Sequence, residues 1–193
     1  MTPADIRHQV VVEELDLAPD GATAVVVRRS IRGIRYHGHL VAIPLHDRRA
    51  IARPRALTSG AVRDTKPRVS PDGSTVAFVR SWPLDDDRPG ALHLLPIDGG
   101  TPRRVRSGRH GGVGEIAWSP DGSRIAFTAE VDPPRFLVGP HARAGTTSED
   151  SPRARHITRT DWRWDEEGHV DRWSHLFVVD ATRGALPRPS RRS

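Results

Sequence analysis

The sequence predicts an all-β fold, and three observations lead to that prediction. The turn tripeptide Pro-Asp-Gly occurs three times, with its aspartates at Asp20, Asp72 and Asp121. Each tripeptide is followed by a short apolar run that does not alternate with polar residues, which is typical of a strand covered on both faces. The 193 residues also include 17 glycines and 17 prolines, which suits many turns.

The clearest copy of the pattern is WSPDGSRIAF at residues 118–127, which indicates a strand, a tight turn and a second strand. Pro120 presets φ for the second turn position, Asp121 can accept a hydrogen bond from its own backbone, and Gly122 supplies a positive φ. Residues 69–79 repeat this pattern closely, and residues 17–27 are a looser copy. The predicted structural turn residues are Pro19, Asp20, Gly21, Pro71, Asp72, Gly73, Pro120, Asp121 and Gly122.

The turn aspartates lie 52 and 49 residues apart. A period of about 50 residues with several short strands in each unit is typical of propeller arrays. The sequence therefore predicts one incomplete domain over residues 1–193, a partial β-propeller of about three four-stranded blades. The blades are expected at residues 10–60, 64–108 and 114–187, the third with a long insert at residues 130–174.

Each blade can be divided into strands by its turn signals. The first has predicted strands at residues 10–17, 22–28, 40–45 and 54–58. The second has predicted strands at residues 67–70, 75–80, 91–97 and 103–106. The third has predicted strands at residues 115–118, 124–129 and 175–180, and a fourth that begins at 185–188. Its insert is expected to end in a hairpin with strands at 156–165 and 170–173.

Composition excludes several classes of protein. The formal net charge is +6, but the basic residues are scattered and aromatics are 5%, so a nucleic-acid interface is not expected. The chain has no cysteine, and neither a signal peptide nor a membrane span is visible in it. We therefore expect a cytoplasmic protein that binds neither nucleic acid nor membrane.

Several stretches together resemble the propeller domain of the prolyl oligopeptidase family, in its acylaminoacyl-peptidase and dipeptidyl-aminopeptidase branch. They are residues 64–80, 92–104, 115–130 and, above all, 155–184, with Asp161-Trp162-Arg163-Trp164-Asp165 and His175–Asp180. The resemblance implies a serine peptidase that hydrolyses short or N-blocked peptides. Its propeller would gate entry to a C-terminal α/β-hydrolase domain, and the expected partners are that domain and short peptides.

The catalytic domain implied by the resemblance has no counterpart in these residues. No Gly-x-Ser-x-Gly nucleophile elbow occurs in the chain, so no catalytic residue and no cofactor are assigned. The last residues, Pro189-Ser190-Arg191-Arg192-Ser193, do not continue the predicted final strand. We expect a longer peptidase truncated by a frameshift near codon 188 or by a premature stop, whose open propeller edge favours self-association. The alternative is a stand-alone Tol-type propeller that binds proteins.

Two groups of side chains are candidate binding sites. Glu166 and Glu167 form an acidic pair beside a turn, and in dipeptidyl peptidases of the family such a pair binds the free amino terminus of the substrate; here a solvated turn is the competing interpretation. His37 and His39 share a strand face, as metal ligands can, but no further ligand pair stands at a useful spacing. The same holds for His169, Asp171 and His175, and no metal site is predicted.

Overall fold

The computed structural model describes residues 5, 8–45, 53–85, 88–107, 111–131, 163–164, 168–169, 173–181 and 188–189. Its strands are β1 (Val10–Leu17), β2 (Thr23–Arg32), β3 (Arg35–Pro44), β4 (Arg55–Ala56), β5 (Arg63–Val69), β6 (Thr75–Ser81), β7 (Ala91–Pro96), β8 (Arg103–Arg104), β9 (Val113–Trp118), β10 (Arg124–Val131), β11 (Arg163–Trp164), β12 (Gly168–His169), β13 (Trp173–Asp180) and β14 (Arg188–Pro189). The described residues form no α-helix, so the predicted all-β class is confirmed.

Apart from the β11–β12 hairpin, the strands are arranged as three antiparallel meanders of four. The first unit is β1-β2-β3-β4, the second is β5-β6-β7-β8, and the third is β9-β10-β13-β14. One parallel bridge, Gly38 to Arg63, joins the first two units into a continuous sheet. This topology fits a partial propeller, while the exact number of blades and their boundaries stay predictions.

The three units repeat the same strand register. The second residue after the turn glycine pairs with the end of the third strand in each unit, as Thr23 with Pro44, Thr75 with Pro96 and Arg124 with Asp180. The positions of the three turns are therefore structurally equivalent along the chain.

In the second unit, the strand that follows the turn, β6, is covered on both faces. Val76 and Phe78 are buried with side chains of the first unit, whereas Ala77 and Val79 are buried with side chains of the third. A strand between two apolar layers has no wet face, which explains why its sequence shows no alternation.

Several predicted strand limits were wrong. β2 and β3 extend to a two-residue turn at Gly33, whose φ is 63°, although their ends carry polar residues such as Arg29 and His39. β5 begins at Arg63 because its first residues pair with the end of β6. β4 and β8 are only two residues long.

The insert hairpin also differs from the prediction, and the predicted final strand is described only in part. The second strand of the insert hairpin is β12 at Gly168–His169, where the sequence suggested a turn followed by a strand at 170–173. The last strand is β14, which pairs Arg188 with Val178, while residues 185–187 of the predicted final strand lie outside the described residues. No described helix is long and apolar enough to cross a membrane.

The junction between the first two units depends on a close backbone approach at Gly38. A Cβ atom placed on Gly38 would lie 2.6 Å from the carbonyl oxygen of Asp64. We predict that Gly38→Ala lowers the free energy of unfolding by about 1–3 kcal/mol, because the two backbones must move apart. Gly112→Ala is the control, since its Cβ would lie 3.5 Å from its nearest neighbour, the amide nitrogen of Gly90. Urea unfolding measures both variants, and equal midpoints would contradict the prediction.

Candidate functional site

The first strands of the three units, β1, β5 and β9, lie side by side and form what we call the lead-strand row. β1 contacts β5 and β5 contacts β9, whereas β4, β8 and β14 have their main contacts inside their own units among the described residues. The units thus converge on their first strands, as propeller blades converge on a central channel. Side chains of the row are therefore candidates for a channel lining.

Two carboxylates of β1 complete the hydrogen bonding of β5. Lys66 donates its backbone N–H to Glu14 Oε2 at 2.6 Å, and Val69 donates its backbone N–H to Asp16 Oδ2 at 2.7 Å. The register of β5 shifts between Thr65 and Arg68, and Lys66 has a φ of 53°. A bulged edge strand leaves amides without a ladder partner, so these carboxylates supply the missing acceptors.

The second junction of the row uses charges of both signs. Lys66 Nζ lies 2.5 Å from Glu115 Oε1, and Arg68 Nη2 lies 3.8 Å from Glu115 Oε2. The hydrogen bond from Lys66 is the main cause that lowers the pKa of Glu115 below its ordinary value. Trp118 adds a neutral contact, because its indole Nε1 donates to the carbonyl oxygen of Arg68 at 2.9 Å.

These contacts define what the row can do chemically. Glu14 and Asp16 are committed to backbone amides, and Lys66 is committed to Glu115. Glu115 is still 66% exposed at its side chain, so the row presents charge to solvent while its geometry is fixed by hydrogen bonds. Such a surface suits binding and selection of a polar ligand rather than nucleophilic chemistry.

The predicted turn residues lie together at the start of each second strand. Gly21, Gly73 and Gly122 have φ values of 67°, 74° and 69°. The turns also touch along the array, because a Cβ on Gly73 would lie 3.7 Å from Pro19 and one on Gly122 would lie 3.7 Å from Pro71. The second and third turns therefore each lie beside the proline of the turn before.

The carboxylates of the second and third turns are strong local acceptors. Asp72 accepts hydrogen bonds from the Ser70 hydroxyl at 2.5 Å and from the Ser74 hydroxyl at 2.8 Å. These bonds, with one from the Ser74 amide, lower the pKa of Asp72 from 3.8 to about 2, and equivalent serines do the same for Asp121. A lowered pKa means that the turn contributes stability above about pH 4, which is lost as the pH falls towards about 2.

The remaining predicted site residues do not form a site in the described part of the chain. Glu166 and Glu167 lie outside the described residues. His37 and His39 stack with ring centroids 6.4 Å apart, and His39 Nε2 lies 2.9 Å from the carbonyl oxygen of Gly60. Burial, Arg32 and His39 lower the pKa of His37. No three His, Asp or Glu side chains among the described residues are placed to hold a metal ion.

Sequence reasoning missed the ion pair between Asp64 and Arg80. Asp64 is fully buried and accepts two hydrogen bonds from Arg80, at 2.7 and 2.9 Å. The pair lies directly across β5 and β6, but polar residues at these positions gave no sign that the strands continued so far. Arg80 neutralises the charge of the buried Asp64 carboxylate. The backbone of Asp64 lies beside Gly38.

Comparison with known proteins agrees with this architecture. No protein-family model matches the chain. An uncharacterized peptidase of Bacillus subtilis, YuxL, is 31% identical over 134 residues, which cover 68% of this chain and 19% of the relative. The chain therefore spans about a fifth of the length of this curated relative.

Solved structures give the same result for the fold. The acylaminoacyl peptidase of Pyrococcus horikoshii superposes with a TM-score of 0.65 at 12% identity, covering 93% of this chain and 24% of that one. A TolB protein of Agrobacterium tumefaciens gives a TM-score of 0.52 at 15% identity, covering 90% of this chain and 46% of that one. These superpositions show the fold, and together with the curated peptidase relative they confirm the resemblance to the peptidase family.

The carboxylate at Asp16 offers a direct test of the row. We predict that Asp16→Ala lowers the free energy of unfolding by about 1–3 kcal/mol, because the amide of Val69, a buried residue, loses its acceptor. Asp98→Ala, at an exposed aspartate, is the matched control and should change stability by less than about 0.5 kcal/mol. Chemical denaturation gives both values. An Asp16→Ala variant with unchanged stability would contradict the prediction and would show that water satisfies the amide of Val69.

Proposed function

We propose that this chain is a propeller portion of a serine peptidase of the prolyl oligopeptidase family, and that its lead-strand row helps to select short peptides. The observation that carries the proposal is the combined match: a curated peptidase shares 31% of the aligned residues, and an acylaminoacyl peptidase shares the fold over 93% of this chain. Hydrolysis would take place on an α/β-hydrolase domain that covers one end of the propeller, through an acyl-enzyme intermediate.

The role of the row follows from its fixed charges. A short peptide carries polar amides and charged ends, and the row offers Glu115 with Lys66 and Arg68 beside it on the next strand. Because these side chains are held by ion pairs, they can contact a passing peptide with little further loss of conformational freedom. Long folded chains would be excluded by the diameter of a propeller channel, which leaves docking and gating as the contribution of this region.

A second candidate function is a stand-alone protein-binding propeller of the TolB type. The observation in its favour is the superposition on the TolB protein of Agrobacterium tumefaciens, which covers a larger share of that chain than of the peptidase. The two functions differ in one measurable respect, because a binding module hydrolyses nothing in any form of the protein.

Hydrolysis by two forms of the protein separates these functions. We predict that residues 1–193 alone do not cleave an N-acetylated amino-acid anilide above the buffer rate, since they carry no nucleophile elbow. The same chain joined to the α/β-hydrolase domain that the proposal requires should cleave the anilide and lose activity with a serine-directed inhibitor. A folded joined protein without activity would favour the TolB-type function. Inhibitor-sensitive turnover by residues 1–193 alone would contradict the assignment of catalysis to another domain.

We also propose that the outer face of the third unit, defined by Ala126, Thr128, Leu176 and Val178, binds a second copy of the chain. These residues occupy the register positions that Ala77, Val79, Leu92 and Leu94 occupy in the second unit. In the second unit those positions are buried against the next unit, whereas Leu176 is 51% exposed.

The second copy would contribute the apolar row of β1. Val10, Val12, Leu15 and Leu17 are each more than half exposed, and the bulge between Val12 and Leu15 keeps all four on one side of the strand. Contact between two different surfaces of the same chain is heterologous, so association should continue beyond a dimer.

Light scattering coupled to size-exclusion chromatography tests this association. We predict that the mass of residues 1–193 rises with concentration and that Leu176→Arg holds the protein at the monomer mass, because a charge on the apolar face opposes burial. Ile34→Arg is the matched control, since Ile34 is 90% exposed and lies on neither surface. A constant monomer mass for the unaltered chain would exclude self-association.

A further inference from the structure

We propose that a cleft between the first and second units binds a carboxylate group of a peptide. The cleft has a volume of about 300 Å³ and lies between the β2–β3 turn and the segment after β6. We call it the arginine cleft and define it by Arg35, Tyr36, Arg63, Trp82, Asp85 and Arg88. It opens at the end of the strands opposite the Pro-Asp-Gly turns, so it is separate from the lead-strand contacts described above.

The charge of this cleft is not balanced by its described lining. Its described lining holds one carboxylate, that of Asp85, beside the guanidinium groups of Arg63 and Arg88. Two other arginines of the same two units are paired: Arg29 lies 2.6 Å from Glu13, and Arg80 lies 2.7 Å from Asp64. Arg63 and Arg88 form no ion pair with any described residue, so they are available to an anion that enters the cleft.

One aromatic ring holds the guanidinium group of Arg88 in place without neutralising it. The guanidinium carbon of Arg88 lies 3.4 Å from the centroid of the Trp82 ring. Stacking on a ring leaves the N–H groups at the edge of the guanidinium plane free to donate. Two parallel N–H donors of arginine match the two oxygens of a carboxylate, which gives both strength and orientation.

The shape of the cleft favours a peptide over a small inorganic anion. Tyr36 is 47% exposed and lines the cleft together with Trp82, so the cleft offers apolar surface beside its charge. A ligand pocket of this size holds one or two residues, and a peptide end would use both the rings and the arginines. Phosphate would use the arginines alone. The site does not depend on a hydrolase domain and is expected under both functions considered above.

Fluorescence anisotropy with labelled hexapeptides tests the cleft in the full 193-residue chain. Three peptides of otherwise equal sequence are compared: one with a free C-terminal carboxylate, one with a C-terminal amide, and one amidated peptide that carries an internal glutamate. We expect the amide without glutamate to bind at least about tenfold more weakly than the free acid, since a charge-assisted hydrogen bond contributes about 1.5–3 kcal/mol. Binding of the glutamate peptide identifies a side-chain carboxylate as a second source of the ligand.

Variants connect this binding to the cleft. Arg63→Gln and Arg88→Gln should each weaken binding of the carboxylate peptide about tenfold, whereas Arg104→Gln, at an exposed arginine on β8, should leave it unchanged. The urea midpoint of each variant should match that of the unaltered protein, so that lost binding is not lost folding. Equal affinity for acid and amide peptides, no effect of both cleft variants, or displacement by inorganic phosphate at the same concentration as by peptide would overturn the proposal.

Discussion

The second unit is buried on both faces, and the arrangement of its neighbours depends on that burial. Phe78 is fully buried towards the first unit, and Leu92 is fully buried towards the third. Complete burial of a large apolar side chain contributes about 1.5–3 kcal/mol, so each face holds its neighbour by several such contributions. A single four-stranded sheet of this kind could bury neither face alone, and its stability is therefore a property of the array.

The sequence predicted the array because its strongest signals are local. A turn of serine, proline, aspartate and glycine is defined by four neighbouring residues, and a two-sided strand is visible as a run such as Val76 to Val79. The strand ends were harder to predict, because polar residues such as Arg29 and His39 near the end of a strand are also typical of loops. Their place in the sheet is set by pairing with a partner strand, which single-sequence patterns do not contain.

The contacts of the lead-strand row were not predicted because they join residues that are far apart in the sequence. The repeat period nevertheless relates those residues. Asp16 and Val69 are 53 residues apart, Glu14 and Lys66 are 52 apart, and Lys66 and Glu115 are 49 apart. Each separation is close to one repeat period, so a residue in the row meets residues one period away. Complementary polar residues at that spacing could have been sought in the sequence. The arginine cleft had no such signal, because its arginines come from three separate segments.

Face-to-face burial makes the three units one cooperative structure. Native-state hydrogen exchange in low denaturant measures this most directly, through the backbone amides of Val26 in β2, Phe78 in β6 and Phe127 in β10. All three amides should exchange with the same opening free energy and the same dependence on denaturant, equal to those of global unfolding. Separate, smaller opening free energies for the three units would show that each sheet is stable without its neighbours, and would contradict cooperative folding of the three units.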